Sequence, residues 1–305
     1  MAEILDKLKN NLRTVFQIGY TAVTNGYLYG FFGGKIFKGG TKKFCVPGLN
    51  CYSCPGALGS CPLGSFQAVL SDRKFKFAFY AAGILMFFGA VFGRFVCGWL
   101  CPFGLIQDLL HKIPFSKKLK KLPGDKWLKY LKYVIFAVFV VLLPLTVLDV
   151  IGQGSPGFCK YICPSGTLFG ALPLAAADEG IRGASGGLFG WKTAVLVLLL
   201  LLSVVVYRPF CRYLCPLGAV YSVFNPIAFY RFKVDSDKCT KCGQCQKKCK
   251  MDIKVYEKPN DPECIRCGDC IKACPYGAIC PSVSLKKKKD GSRSAETVNT
   301  EQKYD

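Results

Sequence analysis

Eight cysteines near the C-terminus fall into two runs of one spacing: Cys239, Cys242, Cys245 and Cys249, then Cys264, Cys267, Cys270 and Cys274. Both runs read C-x2-C-x2-C-x3-C; Pro275 follows Cys274, whereas Lys250 follows Cys249. Thiolates at this interval hold iron–sulfur cubanes. A zinc module would use two separated pairs, often with histidine. A disulfide framework has no reason to repeat the interval. The expected chemistry is one-electron transfer on two [4Fe–4S] clusters, with no catalytic residue making or breaking bonds.

The doubled run is the pattern of two-cluster ferredoxins, in which three cysteines of a run bind one cluster and the fourth binds the other. It assigns Cys239, Cys242, Cys245 and Cys274 to one cluster. Cys264, Cys267, Cys270 and Cys249 go to the second.

Of the other cysteines, three pairs share the form C-x3-C-P: Cys97/Cys101, Cys159/Cys163 and Cys211/Cys215. Glycine stands two residues after each proline, at Gly104, Gly166 and Gly218, and Cys61-Pro62-Leu63-Gly64 repeats that ending. Cys51 and Cys54 precede it. Such an internal repeat is read as one unit used more than once. One C-x3-C supplies two thiolates, while a cubane takes four protein ligands. Two sites are therefore expected, an inner one from Cys97, Cys101, Cys211 and Cys215 and an outer one drawn from Cys51, Cys54, Cys61, Cys159 and Cys163. Disulfides are the competing reading for the outer set, with Cys45–Cys51 as the first candidate. Cys280 reads as a free thiol, and Cys45 is otherwise unassigned.

The elements that must position these thiols are membrane helices. The chain is 51% hydrophobic with a mean hydropathy of +0.28, yet carries a net charge of +22. That combination fits an integral membrane protein with basic loops. Charge-free apolar runs cover 14–34, 77–93, 133–148 and 193–207. Some are shorter than the roughly 20 residues a span needs, but Lys76, Arg94, Lys132, Lys192 and Arg208 at their ends can snorkel to the headgroups. The first run holds Gln17, Thr21, Thr24 and Asn25 and has no convincing cleavage site, so it reads as a span and not a leader. The Cys-Pro elements before helices two and four, and the C-x3-C-P pairs after them, put one thiol set at each end of these helices. The apolar stretches 103–110 and 167–177 are too short to span and read as re-entrant segments.

Loop charge orients the helices. Residues 94–132 carry nine Lys/Arg against two acids, and 149–192 carry three of each. The positive-inside rule puts the first loop, both termini and the ferredoxin module in the cytoplasm. The 35–76 loop, with seven basic residues and one acid, runs against that order.

The motifs 97–104 and 211–218, followed by the two-cluster module, resemble the polyferredoxin-type 4Fe–4S membrane proteins. That group includes the membrane quinol-dehydrogenase subunit of periplasmic nitrate reductase systems and the membrane protein of nitrous-oxide reductase maturation. The resemblance covers about residues 77–281 and implies electron transfer across or into the membrane. The Cys45–Gly64 block and the Cys159 motif exceed the simplest form of that pattern.

The expected architecture is an all-α membrane domain over 1–230, with about four spans, re-entrant Cys-Pro segments and a two-fold repeat. An α+β two-cluster ferredoxin domain follows over 231–281, then a basic disordered tail over 282–305. The cofactors are two [4Fe–4S] clusters in the module and one or two more in the membrane domain. The function is electron relay between a cytoplasmic donor and the membrane or outer face of the inner membrane, with redox proteins and lipid as partners. Two alternatives stand beside it: a quinol-oxidising respiratory subunit, with Asp108, His111 or Asp149 as proton acceptor, and a redox sensor or reductant supplier for an outer metal or thiol centre. One histidine and no C-x-x-C-H argue against haem, and no Rossmann fingerprint marks a nucleotide site. The lysines at 286–289 fit anionic lipid better than nucleic acid.

Overall fold

Proline after cysteine starts helices in this chain. The computed structural model describes residues 12–71, 79–115, 118–147, 154–183 and 186–282. Helices begin at Pro62, Pro102, Pro164 and Pro216, each directly after a cysteine. Proline at the first helical position gives up only an N–H that has no partner there, and its fixed φ is already helical. Cys101, Cys163 and Cys215 precede these prolines with ψ of 117°, 106° and 113°. The Cys163 and Cys215 sulfurs accept the Gly166 and Gly218 N–H groups at 3.3 and 3.4 Å, so the sulfur itself caps the helix.

Two helices, Asp125–Thr146 and Gly187–Val205, are long and apolar enough to cross a membrane, by length and composition. Phe79–Phe92 has 14 residues, about 21 Å of helix against a hydrocarbon core of about 30 Å. The run over 14–34 is not one helix. Leu12–Thr24 ends where Thr24 Oγ1 donates back to Tyr20 O at 2.9 Å and Asn25 Nδ2 to Thr21 O at 3.2 Å. Side chains that satisfy the last carbonyls stop a helix, and Tyr29–Gly33 resumes only after the turn. The span expected over 133–148 starts earlier, at Asp125, and is wound as a π-helix over Phe136–Leu142.

The first half of the repeat contains a helix pair where the sequence pattern suggests a single helix, and in the second half the apolar stretch 167–177 is helical ahead of the long helix. Pro62–Ser71 and Phe79–Phe92 pack together between Cys61 and Cys97. Helical residues 164–177 and then Gly187–Val205 lie between Cys163 and Cys211. One helix therefore does not separate the thiols of a half.

The main core contains the thiols themselves: Cys61, Cys97, Cys101, Cys163, Cys211 and Cys215 are buried among Leu63, Phe103, Phe158, Phe210 and Tyr221. A second core is built from Phe232, Met251, Ile253, Val255, Ile265 and Ile279, and Tyr207 of the helical part joins it. Phe232–Val234 pairs antiparallel with Ile279–Pro281, Phe232 opposite Pro281, which ties the ends of this module together. Its helices Gln244–Lys248 and Asp269–Lys272 pack against each other. Lys76, Asp149 and the lysines at 286–289 lie outside the described residues.

Candidate metal centres

In the C-terminal module Cys239, Cys242, Cys245 and Cys274 surround one cavity, and Cys249, Cys264, Cys267 and Cys270 surround another, each of about 20 Å³. Cys242 is exposed, whereas Cys264 is buried. Burial pushes the Cys264 thiol up to about 11 and Cys267 up to about 12. Metal loading must displace protons from such thiols.

The second cysteine run is the face that docks on the helices. Gly98, between Cys97 and Cys101, meets Ile265 so closely that a Cβ would stand 2.3 Å from its carbonyl oxygen. Trp99 Nε1 donates to Arg266 O at 3.1 Å, and Asn225 Nδ2 to Cys264 O at 3.0 Å. Arg266 returns donors to Phe92 O and Asn225 O.

In the helical part Cys97, Cys101, Cys211 and Cys215 lie within electrostatic reach of one another in every pairing. So do Cys51, Cys61, Cys159 and Cys163. We call these the first and second quartets. Each takes two thiols from each half of the repeat. The glycines two places after the prolines make room across the halves. A Cβ on Gly64 would stand 3.9 Å from the Cys159 sulfur, and one on Gly166 would stand 3.6 Å from that of Cys51.

Cys54 lies within electrostatic reach of Cys51, and its thiol faces Asn25 Oδ1 at 3.7 Å. Cys45 contacts Ser65 Oγ at 3.4 Å. All nineteen cysteines are free thiols, so the Cys45–Cys51 disulfide is not formed. The second quartet also lines a cavity of about 610 Å³ with Tyr52, five serines and Lys192.

The quartets are neighbours. Gly48 packs on Cys101, where a Cβ would stand 3.3 Å from the Cys101 Cα. Leu49 O accepts the Ser165 hydroxyl at 3.2 Å, beside Cys163. Three residue steps from Gly48 to Cys51 span at most about 11 Å. The expected placement of the sites at opposite membrane faces is thereby corrected, because the short chain 48–51 holds them together.

Arg94, Lys132 and Arg208 do not snorkel; each is fully buried and turned inward. Arg94, three residues before Cys97, donates to Cys211 O at 2.7 Å. Arg208, three residues before Cys211, donates to Cys97 O at 2.5 Å. The exchange is reciprocal across the repeat. Glu263 pairs with Arg94 at 2.6 Å and also with Lys132. Asp108 pairs with Arg208 at 2.5 Å and Arg13 at 2.9 Å. Burial alone would raise the Glu263 carboxyl, but Arg94 and Lys132 outweigh it and hold it below the ordinary range.

Each triad has two cations for one carboxylate; Arg94, Lys132 and Arg208 lie within electrostatic reach of the first quartet, and Arg13 closes the second triad from a partly exposed position. Uncompensated buried charge is costly. A [4Fe–4S] cluster on four thiolates carries two negative charges in its oxidised form and would supply the missing balance. Among the described residues no three His, Cys, Asp or Glu side chains converge as a single ion would require. A tetrahedral zinc site, with Zn–S of about 2.3 Å, needs tighter convergence than a cubane.

Sequence reasoning passed over Gln67 and Gln107. Both stand six residues after the cysteine of a Cys-Pro-x-Gly, both are fully buried, and both donate to a quartet sulfur. Their shared offset from the repeat was the available signal. Of the candidate proton acceptors, Asp108 is engaged by two arginines, and the His111 ring stands 5.4 Å from that of Tyr207.

Comparison with known proteins bears on the same residues. A 4Fe–4S binding domain matches at 60–80, 77–123, 133–173 and 189–234. These segments contain Cys61, Cys97, Cys101, Cys159, Cys163, Cys211 and Cys215. The chain is a ferredoxin-type 4Fe–4S protein. [4Fe–4S] clusters are its cofactors. It is 32% identical over 169 residues to the uncharacterized protein MJ0749 of Methanocaldococcus jannaschii, covering 54% of this chain and 55% of that one. It is 27% identical to the ferredoxin-type protein NapH of Haemophilus influenzae, covering 55% and 52%. The regulatory protein NosR of Pseudomonas aeruginosa is 27% identical, covering 57% of this chain and 22% of NosR. The chain spans about half the length of the curated relatives it matches. No solved structure matches.

Proposed function

We propose that this ferredoxin-type protein relays single electrons between a redox protein in the cytoplasm and the membrane through four [4Fe–4S] sites. When bound, the clusters supply reversible one-electron exchange at potentials set by charge, hydrogen bonds and exposure. The residues order the sites in space. Cys239, Cys242, Cys245 and Cys274 form the exposed end, where a protein partner can approach. Cys249, Cys264, Cys267 and Cys270 sit against the helices through Gly98 and Asn225. The first quartet follows, and 48–51 leads from it to the second. The membrane assignment rests on Asp125–Thr146 and Gly187–Val205. The module packs at the end of these helices that bears the basic 118–124 segment, with Lys121 pairing Asp252 at 2.6 Å; that end is assigned to the cytoplasm.

The observation that carries the reading is the set of three fully buried cations, Arg94, Lys132 and Arg208, that outnumber their two carboxylates beside four buried thiols. Iron per purified chain tests it. Four loaded sites give about sixteen irons and the module alone about eight, by cluster count. A value near eight refutes the quartets as cluster sites.

The large cavity at the second quartet favours a second reading, in which a quinol meets the chain there. No carboxylate or histidine is among the residues lining it. A cluster-resolved titration with and without a quinol analogue separates the two: only the quinol site shifts a quartet signal on adding the analogue.

A further inference from the structure

Gln67 and Gln107 make the same set of contacts in the two quartets. Gln67 Nε2 donates to the Cys159 sulfur at 3.3 Å and to Leu63 O at 3.4 Å, while its Oε1 accepts the Phe158 N–H at 3.1 Å. Gln107 Nε2 donates to the Cys211 sulfur at 3.2 Å and to Phe103 O at 3.5 Å, while its Oε1 accepts the Phe210 N–H at 3.2 Å. Each amide therefore grips the first cysteine of a C-x3-C pair from the other half, together with the residue before it.

The amide orientation follows from its partners. The Phe158 and Phe210 N–H groups can only donate, so each faces the amide oxygen. The NH2 group is left facing the sulfur. A buried amide without partners is costly; here each NH2 end has two acceptors and each oxygen one donor. The corresponding positions in the other two repeat copies hold Phe169 and Tyr221. Each quartet thus receives one glutamine amide, always on the first thiol of its C-x3-C partner.

We propose that Gln67 and Gln107 are paired positioning residues that set the reduction potentials of the second and first quartets respectively. The proposal rests on the reading that the quartets hold clusters. An N–H directed at a thiolate sulfur favours the more negative, reduced state. Removing it must lower the potential of one quartet and leave the other unmoved.

The test is an EPR-monitored redox titration of full-length protein in detergent, with iron content measured alongside. Gln107→Leu removes both ends of the amide. Gln107→Glu keeps the length and the acceptor for Phe210 but places a carboxylate against the sulfur. The expected result is full iron content in Gln107→Glu and a lowered potential for the first quartet only. The reduced-to-oxidised ratio at fixed solution potential should fall about tenfold, equivalent to about 59 mV for one electron. Gln67→Glu should do the same to the second quartet only. Unchanged potentials at full iron content overturn the proposal, as does one variant moving both quartets. Iron loss from both the Leu and Glu variants also overturns it, since the residues would then serve folding alone. Wild-type protein holding only about eight irons would defeat the underlying reading of the quartets instead.

Discussion

Replacing Glu263 with glutamine removes the one negative charge shared by two fully buried cations, Arg94 and Lys132. The change is nearly isosteric, so its effect is electrostatic. Arg94 links Glu263 to the first quartet through its contact with the Cys97 sulfur. Two hydrogen-bond lengths with a guanidinium between them put the carboxylate about 8 Å from the sulfur. At an effective dielectric of about 20, a unit charge at that distance is worth about 2 kcal/mol, which is about 90 mV for one electron. The variant should raise the potential of the first quartet by about that amount. Lys132→Met removes a cation from the same triad and should lower it. A titration of the purified proteins, followed by low-temperature EPR, reads both. Opposite signs are the signature. Shifts of the same sign, or none in either variant, would refute the charge argument. Glu263→Gln also leaves two like charges buried together. Breaking a buried pair costs about 3–5 kcal/mol, so the module should undock at lower denaturant than in the wild type.

The remaining predictions concern ligands, docking and orientation. Cys101→Ser and Cys215→Ser should each cost the same four or so irons, and the double variant should add little; additive losses on iron assay would break the shared-site reading. Cys61→Ser and Cys163→Ser should behave likewise and independently of the first pair. Cys242→Ala and Cys267→Ala should each remove one cubane from the module and leave the helices intact, as read by EPR and by circular dichroism. Gly98→Val forces a side chain into a gap where even a Cβ would stand 2.3 Å from Ile265 O. Dithionite should still reduce the module in that variant, while stopped-flow transfer onward to the first quartet slows at least tenfold; an unchanged rate would remove Gly98 from the path. Protease added to sealed inside-out vesicles should cut the 286–289 tail, and cleavage in right-side-out vesicles instead would invert the orientation.

The cysteine groups were legible because spacing alone constrains them. The repeated interval in Cys239–Cys249 and Cys264–Cys274 is a local property, and a cubane's need for four thiolates links Cys97/Cys101 to Cys211/Cys215 across a hundred residues. The helices were read less well. Pro62–Ser71 is short and partly polar, so nothing in its hydropathy marks it, and its presence changes one helix into a pair. Arg94, Lys132 and Arg208 misled because a charge beside an apolar run reads as a headgroup anchor; only tertiary structure shows that each faces a carboxylate from a distant segment. Glu263 could not be matched to Arg94 from sequence, since 169 residues separate them. Gln67 and Gln107 were hidden by the weak prior on a single glutamine in an apolar helix.

The division of every quartet between the two halves sets an order on biosynthesis. In the proposed ligation, Cys61 waits for Cys163 and Cys101 for Cys215, more than a hundred residues further along the chain. Chains emerge N-terminus first, so the first four of these eight thiols are made and inserted long before their partners exist. No cluster can be completed on the growing chain until most of it has been translated. Iron delivery to the quartets must therefore be a late step, after the halves have closed on each other. The C-terminal module, whose eight thiols lie within 36 consecutive residues, is under no such delay. A cell short of iron would then accumulate chains with loaded modules and empty quartets, a half-wired form that accepts electrons and has nowhere to send them.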